Sequence, residues 1–332
     1  MNDTSRKTTI YDLAQLAGTS AGTVSAVLNG SWKKRRISEQ MANKVRRLAK
    51  ERGYAVNMQA SALRKERSGI IGMILPIYDN RFFSSITQNF ERLAREMGYF
   101  PITTCTHRDP ALELQAVRTM LLYQAEYIIC TGSTDPDQLY DLCAKVGVPT
   151  LNIDLPGNKS VSVISDNYSG ALQLTHKLID DVQGTCRMLF IGGQPTDHNT
   201  KERIRGFRQA HIERGLPIDE SQIIPCGYEA PKAKEAIKAL FGNGFESYNA
   251  MFINSTISLE GVTQALSDAG NLHSPDMAVG CFDWDPLVAV LKPEITMVKQ
   301  DVEKMLSELF ALIRSGTHQG ARIIQIPPIL GH

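Results

Sequence analysis

Residues 8–29, TTIYDLAQLAGTSAGTVSAVLN, decide how the front of this chain is read. Thr9 stands where a helix N-cap would, and Asp12, three residues on, is placed like the acid of a capping box. Ile10, Leu13, Ala14 and Leu16 recur at helical spacing. Gly18 suits a helix stop, because glycine takes positive φ at no steric cost. Ser20 can cap a second helix, to which Val24, Val27 and Leu28 give an apolar face. Two short helices about a glycine turn are either an ordinary helical hairpin at the edge of a core or a helix-turn-helix, whose second helix enters the DNA major groove.

Charge favours DNA. Residues 1–67 hold 14 Lys and Arg against 5 Asp and Glu, a net of +9. The whole chain holds 36 against 35, a net of +1, which leaves −8 for the remainder. A basic head on an acidic body points to a nucleic-acid contact at one end, where Lys and Arg displace counterions from phosphates. Ser38 can cap a third helix with an apolar stripe of Met41, Val45, Leu48 and Ala49, ending at Gly53. The next segment, NMQASALRKERS (57–68), is short, polar and basic, with Leu63 alone in it. It reads as a linker, or as a helix that orders only when bound, since so short a helix is unstable by itself. Leu63 beside arginines would suit an apolar wedge in a DNA minor groove.

From Ser68 the pattern changes. Apolar strand-like runs (69–76, 125–132, 149–154, 161–165, 187–193, 223–228, 248–255, 277–282, 295–300) alternate with amphipathic helical segments such as 84–99, 111–122, 169–180 and 200–215. Continuous apolar strands between helices imply parallel sheets covered on both faces. About 265 residues is large for one sheet, so two α/β lobes are expected. Cys105, Cys130, Cys143, Cys186, Cys226 and Cys281 form no CxxC pair and read as free thiols of a reducing compartment. With no signal peptide and no long apolar stretch, a cytoplasmic protein without a membrane partner is expected.

Several chemistries find no support. There is no P-loop, and GIIG (69–72) opens a strand instead of following one. Gly192-Gly193 ends a strand without dinucleotide-binding spacing. No metal-ligand spacing and no GxSxG elbow occurs, and the seven histidines are scattered. No catalytic residue, metal or cofactor is implied. A binding module without DNA function, such as a solute receptor, and a sugar-modifying enzyme remain as alternatives.

The chain resembles, along its length, the bacterial repressors of the lactose/galactose-repressor family. TIYDLAQLAGTSAGTVSAVLNG is similar to the family headpiece and NMQASALR to its hinge helix, while the body resembles the periplasmic sugar-binding fold. The resemblance implies an all-α helix-turn-helix headpiece (1–56), a hinge (57–68) and a two-lobed α/β body with parallel sheets that binds effector and dimerises (69–332). It implies a homodimer or tetramer on a pseudo-palindromic DNA operator, released or gripped when a sugar-like effector closes the cleft between lobes. On the DNA side it points to Thr9, Ser20, Ala21, Gly22, Thr23, Ser25, Asn29, Asn57, Ala60 and Leu63. The loop GSWKKRRIS (30–38) resembles that of the fructose- and sucrose-repressor branch in its length, and Lys33, Lys34, Arg35 and Arg36 in it can grip phosphates with Trp32 as anchor. The recognition helix departs from the family: Ala21 and Gly22 stand where base-reading side chains are usual, and Ala26 where an arginine is common.

For the effector, DNRFF (79–83) matches a family segment, bringing Asp79 and an apolar wall of Phe82 or Phe83, either of which is otherwise core. Asp166-Asn167 matches the acid–amide pair before a helix, with an N-cap as the plain alternative. Arg203 matches the arginine of R-x-x-G-[FW], whose planar guanidinium suits hydroxyls or a carboxylate. Tyr228, Asn254, Asp283 and Gln300 match recurrent contact positions, Gln300 at a lobe crossover where it is hinge or ligand contact. Trp284 replaces the second acid of the motif around Asp283.

Overall fold

The chain divides into two compact units, Met1–Ser68 and Gly69–His332. A computed structural model describes residues 8–54, 67–241, 245–270 and 277–331. Asn57, Ala60 and Leu63 lie outside the described residues.

In the first unit, α1 (Ile10–Ala17) starts at a reciprocal box. The Asp12 amide donates to Thr9 Oγ1 at 3.3 Å, and the Thr9 amide donates to Asp12 Oδ2 at 2.8 Å. It ends at Gly18, which adopts φ 69°. α2 (Ala21–Leu28) is capped by Ser20, which accepts from the Thr23 amide at 3.1 Å, and α3 (Glu39–Glu51) by Ser38. Leu13, Val24, Val27 and Val45 close a small core on which Trp32 and Tyr54 pack. Each such side chain stabilises the unit by roughly 1.5–3 kcal/mol.

The second unit holds two six-stranded sheets. The first is built from β1 (Ile70–Leu75), β2 (Phe100–Cys105), β3 (Tyr127–Thr131), β4 (Thr150–Ile153), β5 (Val161–Ser165) and β11 (Arg322–Ile326). Their order is β11-β5-β4-β3-β1-β2, all parallel. The second holds β6 (Met188–Ile191), β7 (Ile223–Ile224), β8 (Ala250–Ile253), β9 (Ala278–Phe282), β10 (Thr296–Lys299) and β12 (Ile329–Gly331). Its order is β12-β10-β9-β8-β6-β7, and only β12 runs antiparallel.

Helices cover both faces of each sheet because the strands are apolar on both sides. On the first sheet, α4 (Arg81–Glu96) and α12 (Val302–Ser315) bury Phe90 against Phe310, their ring centroids 6.0 Å apart. α5 (Pro110–Leu122) and α6 (Pro136–Ala144) seal the opposite face through Val117, Met120, Leu139 and Cys143. On the second sheet, α7 (Asn167–Asp181) and α8 (His198–Glu213) pack Leu174 and Phe207 against stacked Phe190 and Phe252. α9 (Ala230–Leu240) and α10 (Thr256–Asp268) bury Ile237 and Val262, and α11 (Pro286–Leu291) follows β9. Gly206 lets α8 approach α7: a Cβ there would stand 2.4 Å from the Tyr168 carbonyl oxygen.

The run 223–228 is strand only at Ile223–Ile224, since Pro225 has no amide to donate. β2, β11 and β12 fall outside the apolar runs read from the sequence. All three are edge strands with at most one buried residue: Thr103 and Thr104 interrupt the apolar run in β2, Arg322 and Gln325 interrupt it in β11, and β12 is only three residues long.

The chain passes between lobes three times, at 165–167, 299–302 and 326–329. The crossovers are tied together. Ser165 Oγ donates to Gln300 Oε1 at 2.5 Å, both residues buried, and the Asp166 amide donates to the Ile326 carbonyl at 2.9 Å.

Candidate functional site

In an open α/β sheet, ligands bind beyond the C-terminal strand ends where the strand order switches. Both sheets switch in this way, one between β1 and β3 and the other between β6 and β8. Between the two sets of strand ends lies a cavity of about 630 Å³. The first lobe lines it with Asn80, Phe82, Phe83, Arg108, Thr134 and Asp154. The second lines it with Asn199, Arg203, Tyr228, Asp283 and Gln300, among others.

Two buried acids face each other across the lobes. Asp154 follows β4 and Asp283 follows β9, and both take positive φ, 76° and 82°. Such a backbone is costly for a side-chain-bearing residue and clusters at binding sites. Asn199 Nδ2 donates to Asp154 Oδ1 at 2.8 Å, joining the lobes. Gln300 Nε2 donates to Asp283 Oδ1 at 2.5 Å, so the crossover glutamine holds a cavity acid on one side and Ser165 on the other. Burial pushes the Asp154 carboxyl up to about 6, with Asp283 adding to the rise, against the lowering effect of Arg108, Arg203 and the Asn199 bond. Burial likewise raises Asp283, opposed by Arg203 and the Gln300 bond.

Arg203, 3 % exposed, is the centre of the second-lobe wall. Its Nε donates to Asn167 Oδ1 at 2.8 Å, its Nη1 donates to the Asn254 carbonyl, and its guanidinium lies 3.7 Å from the Phe282 ring centroid. Asn167 Nδ2 in turn donates to Asn199 Oδ1 at 3.0 Å, so Asp154, Asn199, Asn167 and Arg203 form one chain of bonds. Tyr228 shares a bond with Thr200 Oγ1 at 3.0 Å, and Arg108 lies 5.1 Å over its ring. Further bonds cross between lobes: Arg81 Nε to Asp285 Oδ2 at 2.8 Å, Asn80 Nδ2 to Thr256 Oγ1 at 3.4 Å, and Arg108 with Asp197 at 3.8 Å.

Of the residues read from the sequence, Phe82, Phe83, Arg203, Tyr228, Asp283 and Gln300 line this cavity. Phe83 also belongs to the first-lobe core. Asn167 stands behind Arg203 and Asn254 is fully buried beside it, so neither lines the cavity. The Asn254 side chain acts on the Tyr228 hydroxyl but makes no hydrogen bond of full geometry. Asp166 caps α7, accepting from the Ser169 amide at 3.0 Å, and is not part of the wall. Asp79 is exposed and outside the cavity, because its neighbour Asn80 takes the capping position of α4 and turns inward. Trp284 packs on the second-lobe core under Lys299 and also lies outside the cavity.

Asp154, Asn199, Arg108 and Asp197 were missed. One signal was available for Asp154: it directly follows a buried apolar strand, as Asp283 does.

On the first unit, Gly22 is exposed and Ala21 packs on the core. Ser25 is buried and accepts from Asn29 Nδ2 at 3.1 Å. The Thr9 hydroxyl is committed to Asp12 at 2.7 Å, and Ser20 Oγ meets Thr23 Oγ1 at 3.0 Å. Lys33, Lys34, Arg35 and Arg36 are exposed on a turn closed by the Ile37 amide donating to the Trp32 carbonyl at 3.0 Å. Trp32 anchors that turn, with Lys33 and Arg46 each 5.5 Å from its ring centroid. Among the described residues no group of His, Cys, Asp and Glu could hold a metal ion, and no helix is long and apolar enough to cross a membrane.

Residues 9–57 match the model of bacterial regulatory proteins of the lacI family, and residues 71–304 match a periplasmic binding protein domain. The ribitol operon repressor of Klebsiella aerogenes is 59% identical over 193 residues, covering 57% of this chain and 72% of that protein. The sucrose operon repressor of Klebsiella pneumoniae is 27% identical over 93% of this chain and 92% of its own length. Among solved structures, a lac repressor dimer bound to operator and the anti-inducer ONPF superposes with a TM-score of 0.83 at 20% identity, over 98% of each chain.

Proposed function

The chain belongs to the lacI family of bacterial regulatory proteins and is a DNA-binding transcriptional regulator, and from that premise we propose how its cleft controls it. The cavity between the lobes binds a small sugar or sugar derivative, and binding changes the affinity for an operator. The observation that carries this reading is the unbroken bond chain Asp154–Asn199–Asn167–Arg203, which spans both lobes and brings three of its four members onto the cavity wall. A ligand that replaces or extends those bonds favours one lobe arrangement over another, and that difference in affinity is the coupling energy available to the operator site.

In this reading residues 1–56 are the headpiece, 57–68 the hinge and 69–332 the effector body. Ser20, Gly22, Thr23 and Asn29 face the major groove, and Lys33 to Arg36 hold phosphates. Leu63 enters the minor groove. The protein acts in the cytoplasm as a homodimeric repressor on a pseudo-palindromic operator and works by binding without turnover. The resemblance to a ribitol operon repressor makes a pentitol or pentose the first effector to try.

A thermal-shift screen of the full chain against sugars and sugar alcohols tests the cleft, because ligand at 100 times its Kd adds about 2.7 kcal/mol of stability. Ligands that raise the melting temperature are then added to operator gel shifts. Effector that stabilises the protein but leaves operator affinity unchanged rules the coupling out.

A further inference from the structure

The next inference rests on the effector reading and narrows the chemistry of that same cavity. Among the described residues, each Lys or Arg lining it is engaged. Arg108 pairs with Asp197 at 3.8 Å and covers the Tyr228 ring. Arg203 is bonded to Asn167 and Asn254 and covers Phe282. Lys232 pairs with Glu229.

Acids outnumber these three cations. Asp154, Asp197, Asp283 and Glu229 are on the wall, and Glu113 lies buried behind it, accepting from the Thr134 hydroxyl at 2.8 Å and from the Thr134 amide. The Arg108 charge acts on Glu113, Asp154 and Asp197 together, and the Arg203 charge on Asp154, Asp197 and Asp283. A phosphate group entering here meets carboxylates a few ångströms away and no unshared cation, and like charges in so buried a place are strongly unfavourable.

A hydroxyl group meets the opposite situation. Asp154 and Asp283 present acceptors from opposite lobes. The Ser133 hydroxyl, on the cavity wall, is buried without a hydrogen-bond partner. A hydroxyl both donates and accepts, so a row of them satisfies all three groups. We infer that the cavity selects an uncharged polyhydroxy compound, a free sugar or sugar alcohol, and rejects its phosphate esters.

The test is isothermal titration of the full chain with free pentoses, hexoses, pentitols and hexitols, each beside its monophosphate. At least one free member binds, and its phosphate binds at least 100-fold more weakly. A phosphate that binds as tightly as its parent, or more tightly, overturns the inference and leaves the effector site standing. If no member of either series binds, the effector reading falls and this inference with it. Asp197→Asn releases Arg108 and narrows the ratio at least tenfold; an unchanged ratio overturns the charge argument.

Discussion

The cleft and the proposed recognition surface of the headpiece are built in opposite ways. In the cleft the polar groups are buried and bonded to one another, so no group can change without disturbing the next. On the headpiece, Gly22 and the four basic side chains of the 30–38 loop are exposed, and each can act alone. Networks in contact show coupled mutational effects, whereas separate exposed sites add. On the proposed reading, discrimination of the small molecule is therefore a property of an assembly, and hold on DNA a sum of independent parts.

The largest effect belongs to Arg203→Ala. It leaves Asn167 Oδ1 without its donor and removes the charge that opposes the rise in Asp154 and Asp283. Effector affinity by calorimetry should fall at least 100-fold, and the effector-induced melting shift should vanish. Retention of that shift would take Arg203 out of the site. Next comes neutralisation of Lys33, Lys34, Arg35 and Arg36 together. If all four touch phosphate, the slope of log K against log salt for duplex DNA should drop by about 3 to 4, at roughly 0.9 per contact. Single substitutions should each take about a quarter of that, and a strongly unequal split would break the additive picture.

Asp154→Asn sharpens the cleft side. The carboxyl is raised to about 6 from 3.8 by burial. The stability from holding it protonated is full below about 4 and is lost as pH rises through about 6. The unliganded variant should therefore melt at or above the wild type at pH 7.5, while binding effector about tenfold more weakly. Effector affinity of the wild type should fall as pH drops below 6, where the acceptor is protonated, and the variant should lose that dependence. The smallest effect is Gly22→Gln. An added Cβ finds only Ser20 Oγ, at 3.7 Å. Helix propensity gains about 0.5–1 kcal/mol, and sequence preference should shift in a binding-site selection without loss of fold.

The headpiece was legible almost residue by residue, because caps, turn glycine and apolar spacing are local signals written within about 50 residues. The central parallel strands were legible because burial on both faces makes them apolar. What could not be read depends on distant parts meeting. Asn199 and Asp154 are 45 positions apart and meet only when two lobes come together. Asp166, a helix cap, and Asp79, beside one, matched family positions for effector contacts, and only the three-dimensional wall separates such roles. The edge strands β2 and β11 lack the apolar continuity that marks the others, and β12 is too short to carry a pattern.

The triple passage between lobes also dictates an order of biosynthesis. A ribosome releases the chain from the N-terminus, and domains usually fold as they emerge. Here the first lobe cannot finish that way. Its sheet waits for Arg322–Ile326, and its core for Met305, Leu306, Leu309 and Phe310. The strands β6 to β10 of the second lobe are all made before those residues leave the tunnel. The nascent first lobe must therefore hold an open sheet edge and an uncovered face of Phe90 and Ile86 while its neighbour takes shape. A nascent chain truncated near residue 300 exposes that face, and it is the species that trigger-type chaperones should retain longest.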